Sequence, residues 1–189
     1  MRTIGLKDVY FAKQLTDTTA GATYSAPVKI ARAINAKVTP KVNSEKWYSD
    51  DTVEEIVSAF DSIDVEFEMN DLDLTSRALL QGITTSNGEL VESTSDIAPV
   101  GALLFRSLMS TGKYRYVVLY KGKFEQVEDE YETKADKISS KTPKLKGSFY
   151  AREDGKYRFT IDENETGASS TKISAWFTAV QEADANTSI

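Results

Sequence analysis

The side chains of this 189-residue chain that could do chemistry are mostly carboxylates. "YSDDTVEE" supplies Asp50, Asp51, Glu54 and Glu55, and "EDEYE" supplies Glu128, Asp129, Glu130 and Glu132. Paired carboxylates can run acid/base reactions or hold a hard cation. Neither stretch has the EF-hand rhythm of acidic residues around a fixed glycine. Solvated acidic loops or interface charge are the favoured reading, with weak divalent-cation binding as the other. The chain has no histidine and no cysteine. That removes the familiar nucleophile–base triads, thiolate chemistry, disulfides and zinc sites of the usual kind. The glycines form neither a Gly-Lys-Ser/Thr phosphate loop nor a G-x-G-x-x-G turn. A Ser/Lys dyad has no local signature. No catalytic residue, metal or cofactor is expected, and an enzyme is the least favoured class.

One more stretch could bind something. In "GKYRYVVLYKGKF" (112–124), Tyr114, Tyr116, Val118 and Tyr120 alternate with Arg115, Val117, Leu119 and Lys121. A row of tyrosines flanked by basic residues can stack nucleobases. A core strand is the simpler reading. It is an unusual core strand, because one face is aromatic throughout and the other is apolar at its centre, so both need cover. The net charge of −6 argues against a nucleic-acid binder working through a basic surface. No stretch has the apolar length of a secretory signal or of a membrane span. Synthesis and assembly in the cytoplasm, with no membrane partner, are expected.

Most of the chain that must position these residues reads as strands of period two. Val9 to Lys13 is a short first strand, followed by a turn-rich loop, "TDTTAGATYSAP". "PVKIARAINAKVTP" places Val28, Ile30, Ile34, Ala36 and Val38 on one face. Lys29, Ala31, Ala33, Asn35 and Lys37 take the other, and Arg32 interrupts the apolar side. The charged stretch 41–62 is a protruding loop, part of which can extend the flanking strands as a long hairpin. "SIDVEFEMND" sets Ile63, Val65, Phe67 and Met69 against Asp64, Glu66 and Glu68. "LTSRALLQG" reads as a short helix capped by Thr75, stapled by Leu74 and Leu79, and stopped by Gly82. "VGALLFRSLMS" pairs with the tyrosine strand through a tight turn at Gly112. "KLKGSFYA" and "KYRFTID" form a last hairpin around Asp154–Gly155. Ile173, Trp176, Phe177 and Val180 fall on one stripe of a C-terminal helix with Ser169 or Ser170 as cap. Packing on a sheet is favoured for it over docking a partner. The chain is one domain over 1–180, with 181–189 a loose tail.

The residues then carry a resemblance. "GLKDVYFAK", "APVKIARAINAKVTP…WYSDD", "LLFRSLMSTGKYRYVVLYKGKFEQVEDEYETK" and "ISAWFTAV" together resemble the major tail protein, the tail tube protein, of long-tailed phages of Gram-positive bacteria. The likeness runs from about Gly5 to about Val180 and is most specific in the hairpin with "YKGKF". It implies a mainly β fold: a β-sandwich or partial barrel with one short flanking helix and a C-terminal helix. It also implies a homo-oligomer whose six-membered rings stack into a tube around the tape measure protein. Tail terminator and distal tail proteins would bound the tube, and DNA would pass through its lumen without specific binding.

Placed in that frame, the two-faced strand needs two partners. One is its own core, and the other is either the subunit's helix or an adjacent subunit. Free sheet edges are a hazard in a monomer and an assembly contact in a ring. Asp64, Glu66 and Glu68 are the lumen candidates, beside Lys29, Asn35 and Lys37, with Lys–Glu cross-strand pairs moderating repulsion. Trp47, Tyr48, Asp50 and Asp51 are the ring-stacking candidates. Tyr114, Tyr116, Val118 and Tyr120 are the core or intersubunit strand. Two alternatives stay open: another ring-forming tail or baseplate protein, and a carbohydrate-binding β-sandwich.

Overall fold

A computed structural model describes residues 2–30, 32–49, 52–129 and 142–184, and within 45–57 it describes backbone alone. The chain opens with β1 (Thr3–Thr18), which turns at Gly21 into β2 (Gly21–Tyr24). The stretch expected as a loop is therefore mostly strand, and the first strand is much longer than its apolar centre. A two-residue β3 (Val28–Lys29) lies on β1 through Tyr10↔Lys29 and Phe11↔Val28. Then come β4 (Ala33–Ser49) and β5 (Thr52–Met69), paired along almost their whole length. The single strand expected over 28–38 is thus two strands on opposite sides of a break. A register shift between Ala33 and Asn35 also leaves Ile34 55% exposed while Ala36 and Val38 pack inward. Strict alternation fails there because a bulge adds one residue and flips the phase.

After β5 comes α1 (Leu74–Gln81). Its N-cap is Asp73 rather than Thr75, with no side-chain cap bond, and Gly82 ends it in the left-handed region (φ 73°). A small hairpin of β6 (Thr85–Ser86) and β7 (Glu89–Leu90) leads to β8 (Gly101–Met109) and β9 (Tyr114–Phe124). β8 and β9 turn tightly at Gly112 (φ 84°), whose N–H donates to the Met109 carbonyl at 2.9 Å. The last strands are β10 (Lys144–Tyr150) and β11 (Arg158–Asp162), followed by a one-turn α2 (Ser170–Ser174).

The expected hairpin of the last two strands does not form. β10 pairs with Lys121–Phe124 and β11 with Arg115–Leu119, both antiparallel to β9 along the same edge. They are one strand interrupted by an excursion, residues 151–157, that stands opposite Tyr120 alone. The Asp154–Gly155 turn is real: Gly155 has φ 80° and donates to the Arg152 carbonyl at 3.0 Å. It closes the excursion instead of joining a strand pair.

The main sheet runs β2–β1–β8–β9–β10–β5–β4. It curls until β4 comes back into contact with β1, yet no ladder joins those two strands among the described residues. The fold is therefore a mainly β sandwich or partial barrel, open at that seam. Its inner core gathers Val9, Phe11, Ile63, Val65, Phe67, Leu103, Phe105, Val117, Leu119 and Phe149. A second core lies on the outer face of the same strands and contains Ala102, Leu104, Tyr116, Val118, Tyr120, Ile161 and Trp176. β8 and β9 are the shared wall, which is why neither alternates between apolar and polar. Where β9 meets β10, Phe124 lies over Gly147 and Phe149 over Gly122. A Cβ at Gly122 would come within 2.3 Å of the Phe149 ring. These glycines are required by close approach of a cross-strand aromatic ring.

Candidate assembly surfaces

The outer face of β4, β5 and β10 carries the acidic row. Asp64, Glu66 and Glu68 are half-buried on β5. On one side the register sets Thr39, Lys37 and Asn35 opposite them; on the other, Ser148, Lys146 and Lys144. The acidic strand is therefore lined by lysines on both flanks. Lys41 reaches Asp64 at 2.6 Å, and its hydrogen bond holds the Asp64 carboxyl below the usual carboxylate range. Ser148 donates to the same carboxylate at 3.2 Å. Lys146 pairs with Glu128 at 2.7 Å and lowers it likewise. Lys29 is not part of this face: it sits on β3 and bonds Asp8 at 2.8 Å, together with Arg106 at 2.6 Å. Burial disfavours the Asp8 carboxylate, but these two donors outweigh it and lower its pKa. Asp8 adopts a left-handed backbone (φ 54°) at an irregularity in the β1–β8 register.

Beyond Lys41↔Ser62 the β4–β5 hairpin continues to Ser49↔Thr52 with no third strand beside it among the described residues. That arm is eight residues of β4, about 26 Å at ~3.3 Å per residue. Its root is fixed by Phe60, stacked on Tyr157 with centroids 4.0 Å apart. Just above, Val42 is 55% exposed. Trp47 stands opposite Glu55 and Tyr48 opposite Val53 in backbone register. Their side chains, and the whole of Asp50 and Asp51, lie outside the described residues, as do Glu130 and Glu132.

The opposite side of the molecule is closed. Tyr116, Val118 and Tyr120 are buried and Tyr114 is half-buried. Their cover is the C-terminal segment. Ser169 caps α2 by accepting from the Lys172 N–H, and Ile173 lies on that turn. Trp176, past the helix end, is fully buried between Tyr116 and Phe159, and Phe177 stacks on Tyr10 at 4.5 Å. Val180 packs on the same cluster. The expected helical stripe is thus one turn of helix followed by a turn-rich strap.

Residues 181–184, expected as the start of a loose tail, are held down. Tyr120 donates its hydroxyl to the Gln181 carbonyl at 3.0 Å, and Lys172 donates to that of Glu182 at 2.6 Å. The centre of this region is Arg152, whose side chain is fully buried. It pairs with Asp154 at 2.5 Å and with Glu182, and lies 4.2 Å from the Tyr120 ring centroid. Burial works against its charge, yet the two carboxylates and Tyr24 raise its pKa. Burial pushes the Tyr24 phenol up to about 12. In sequence, "REDGK" reads only as a turn. A lone arginine between a strand and a turn carries no local signal of the distant Glu182.

Among the described residues no group of three or more acidic side chains converges as a metal site, and no helix is long and apolar enough to cross a membrane. No curated protein matches the chain. The family model described as phage tail tube protein matches residues 39–151, from the arm and β5 through α1, β8 and β9 to the end of β10. The match covers more than half of the chain, including the arm, β5 with its acidic row, β8, β9 and β10, and on that ground the chain belongs to the phage tail tube protein family, a structural component of the virion tail.

Proposed function

We propose that copies of this chain close into rings, six to a ring as the resemblance implies, and that the rings stack into the tail tube through the β4–β5 arm. The arm carries this reading: it is a paired hairpin reaching about 26 Å beyond the last strand that supports it, and a two-stranded ribbon alone in water is marginally stable at best. A neighbouring copy supplies the missing support. The unpaired outer edge of β4 and the open β1/β4 seam offer backbone donors and acceptors for a neighbouring subunit within the ring.

The outer face of β4, β5 and β10 lines the bore in this reading. Its lysine, acid, lysine rows present nearly balanced charge, so DNA phosphates meet neither a sticky basic wall nor an extended repulsive field. The tape measure protein occupies the bore before DNA does. Terminator and distal tail proteins meet the two end rings.

Negative-stain electron microscopy of purified protein tests the stacking. Trp47→Ala with Tyr48→Ala is expected to leave a folded subunit that forms few or no tubes. Normal tubes from the double variant would remove the arm tip from the mechanism. For the bore, Glu66→Lys with Glu68→Lys would join two lysine rows into one basic strip. Tubes should form and DNA release in an infection assay should slow; unchanged release would move the lumen elsewhere.

A further inference from the structure

At the end of the sandwich where β9 finishes, a cavity of about 610 Å³ opens between α1, the 91–98 loop and β10. Its floor includes Gln81, the last residue of α1, which is 6% exposed. The Gln81 Oε1 atom is buried and accepts no hydrogen bond among the described residues. A buried carbonyl oxygen without a donor is costly, so the site is built to receive one. The walls say which kind. Glu92, Asp96 and Glu125 face the cavity against a single cation, Lys123. Glu92 is held by Arg77 at 3.1 Å, and one Asp96 oxygen takes the Ser93 N–H at 2.6 Å. Glu125 forms no direct salt bridge among the described residues; Lys146, which is paired with Glu128, is near enough only to feel its charge. The carboxylates do not converge as metal ligands. The remaining wall, Ile83, Ala98 and Phe124, is apolar. Gly82 fixes the arrangement: a Cβ there would sit 2.2 Å from the Ile97 carbonyl, so only glycine lets the loop carrying Asp96 pack on the helix end.

We propose that this cavity binds a primary alkylammonium group. Its N–H donates to Gln81 Oε1, its charge is met by Glu125 and Asp96, and its alkyl stem lies on the apolar wall. A free aliphatic diamine and the lysine side chain of a second copy share that chemistry.

The test uses the isotope-labelled, unassembled subunit, so its failure is separate from any failure of the ring-and-tube reading. Putrescine is titrated while the Gln81 side-chain amide signals are followed by NMR, with 1-butanol as the uncharged control. Saturable shifts with putrescine and none with butanol are expected. Gln81→Met, close to isosteric, and Glu125→Gln, a surface change, both followed through the backbone amide signals of Asp96 and Ala98, should each weaken binding about tenfold. Silent Gln81 signals, equal response to butanol, or unchanged affinity in both variants would overturn the proposal. Carbodiimide coupling of assembled protein, mixed from two isotopic labels, then separates the sources. An intermolecular link from Asp96 or Glu125 to a lysine identifies the second copy. Diamine binding without that link identifies a free amine.

Discussion

The two sides of this sheet are finished in opposite ways. On the outer face of β8 and β9 the chain covers itself: Trp176, Phe177 and Val180 close an aromatic wall, and Arg152 ties the strap to the body. On the β4–β5 side the chain does the reverse, sending a hairpin past the last strand that pairs with it. The question posed by the two-faced tyrosine strand is therefore answered within one subunit. Among the described residues, the backbone left without a strand partner lies along the arm and the outer edge of β4. In the proposed assembly the two have separate roles: the body defines the ring, and the projection draws its stability from the next copy.

The largest way to break this contrast is at Trp176. Removing its fully buried ring in Trp176→Ala should cost the isolated subunit about 4 kcal/mol, read from urea denaturation. Trp176→Phe should cost less, because the Trp176 Nε1–H has no acceptor among the described residues. A tryptophan-to-alanine cost under about 1 kcal/mol would mean that the strap is not part of the folded body. Next is Arg152→Met, which keeps the volume but leaves Asp154 and Glu182 with only the more distant, half-exposed Lys156, at 3.4 and 3.8 Å. A loss of about 3 kcal/mol is expected. Glu182→Gln, on a partly exposed partner, should cost clearly less.

Acid should loosen the closed side, where Asp154, ahead of β11, and Asp162, at its end, anchor the chain. The Asp162 carboxylate accepts the Asn164 backbone and side-chain N–H groups and pairs with Arg115, which lowers it to about 2. Asp154 is lowered as well, the Arg152 bonds outweighing its burial. A carboxyl lowered in the folded state adds stability that is complete above its unfolded pKa, near 4, and is lost as pH falls through the folded value. The window is therefore about pH 4 down to about 2. The chain has two tryptophans, so Trp47→Phe leaves Trp176 as the sole reporter. Its emission should shift to the red across that window. Asp162→Asn should be less stable at neutral pH and less sensitive to acid. A profile parallel to the parent would remove Asp162 from the account.

How much of this could be read in residues follows from how local each signal is. The acidic alternation of 63–69 and the apolar runs of β8 and β9 are periodic over their own length, and both elements are there. Ile34 and Lys29 were misplaced because a bulge and a chain break change which face a residue takes, and neither leaves a mark in composition. The β10–β11 relation was missed for a related reason. Asp154–Gly155 announces a turn, but whether a turn joins partners or closes an excursion depends on the length of β9, the third strand. Arg152 was invisible because its meaning lies in Glu182, thirty residues on.

The smallest expected effect sharpens the comparison most. Trp47→Ala with Tyr48→Ala should change subunit stability by less than about 0.5 kcal/mol, because the arm beyond Ser62 contributes no strand to the curled body. The same double change is expected to stop tube growth. Stability measured on unassembled protein and growth measured by light scattering therefore separate the two regions. If the double variant lost several kcal/mol as a monomer, the arm would be folding back on its own subunit, and the division between a self-covered face and a copy-dependent one would fail. If stability held and growth stopped, the arm's cost of ordering would be met at assembly, which makes growth steeply dependent on concentration while leaving the free subunit soluble.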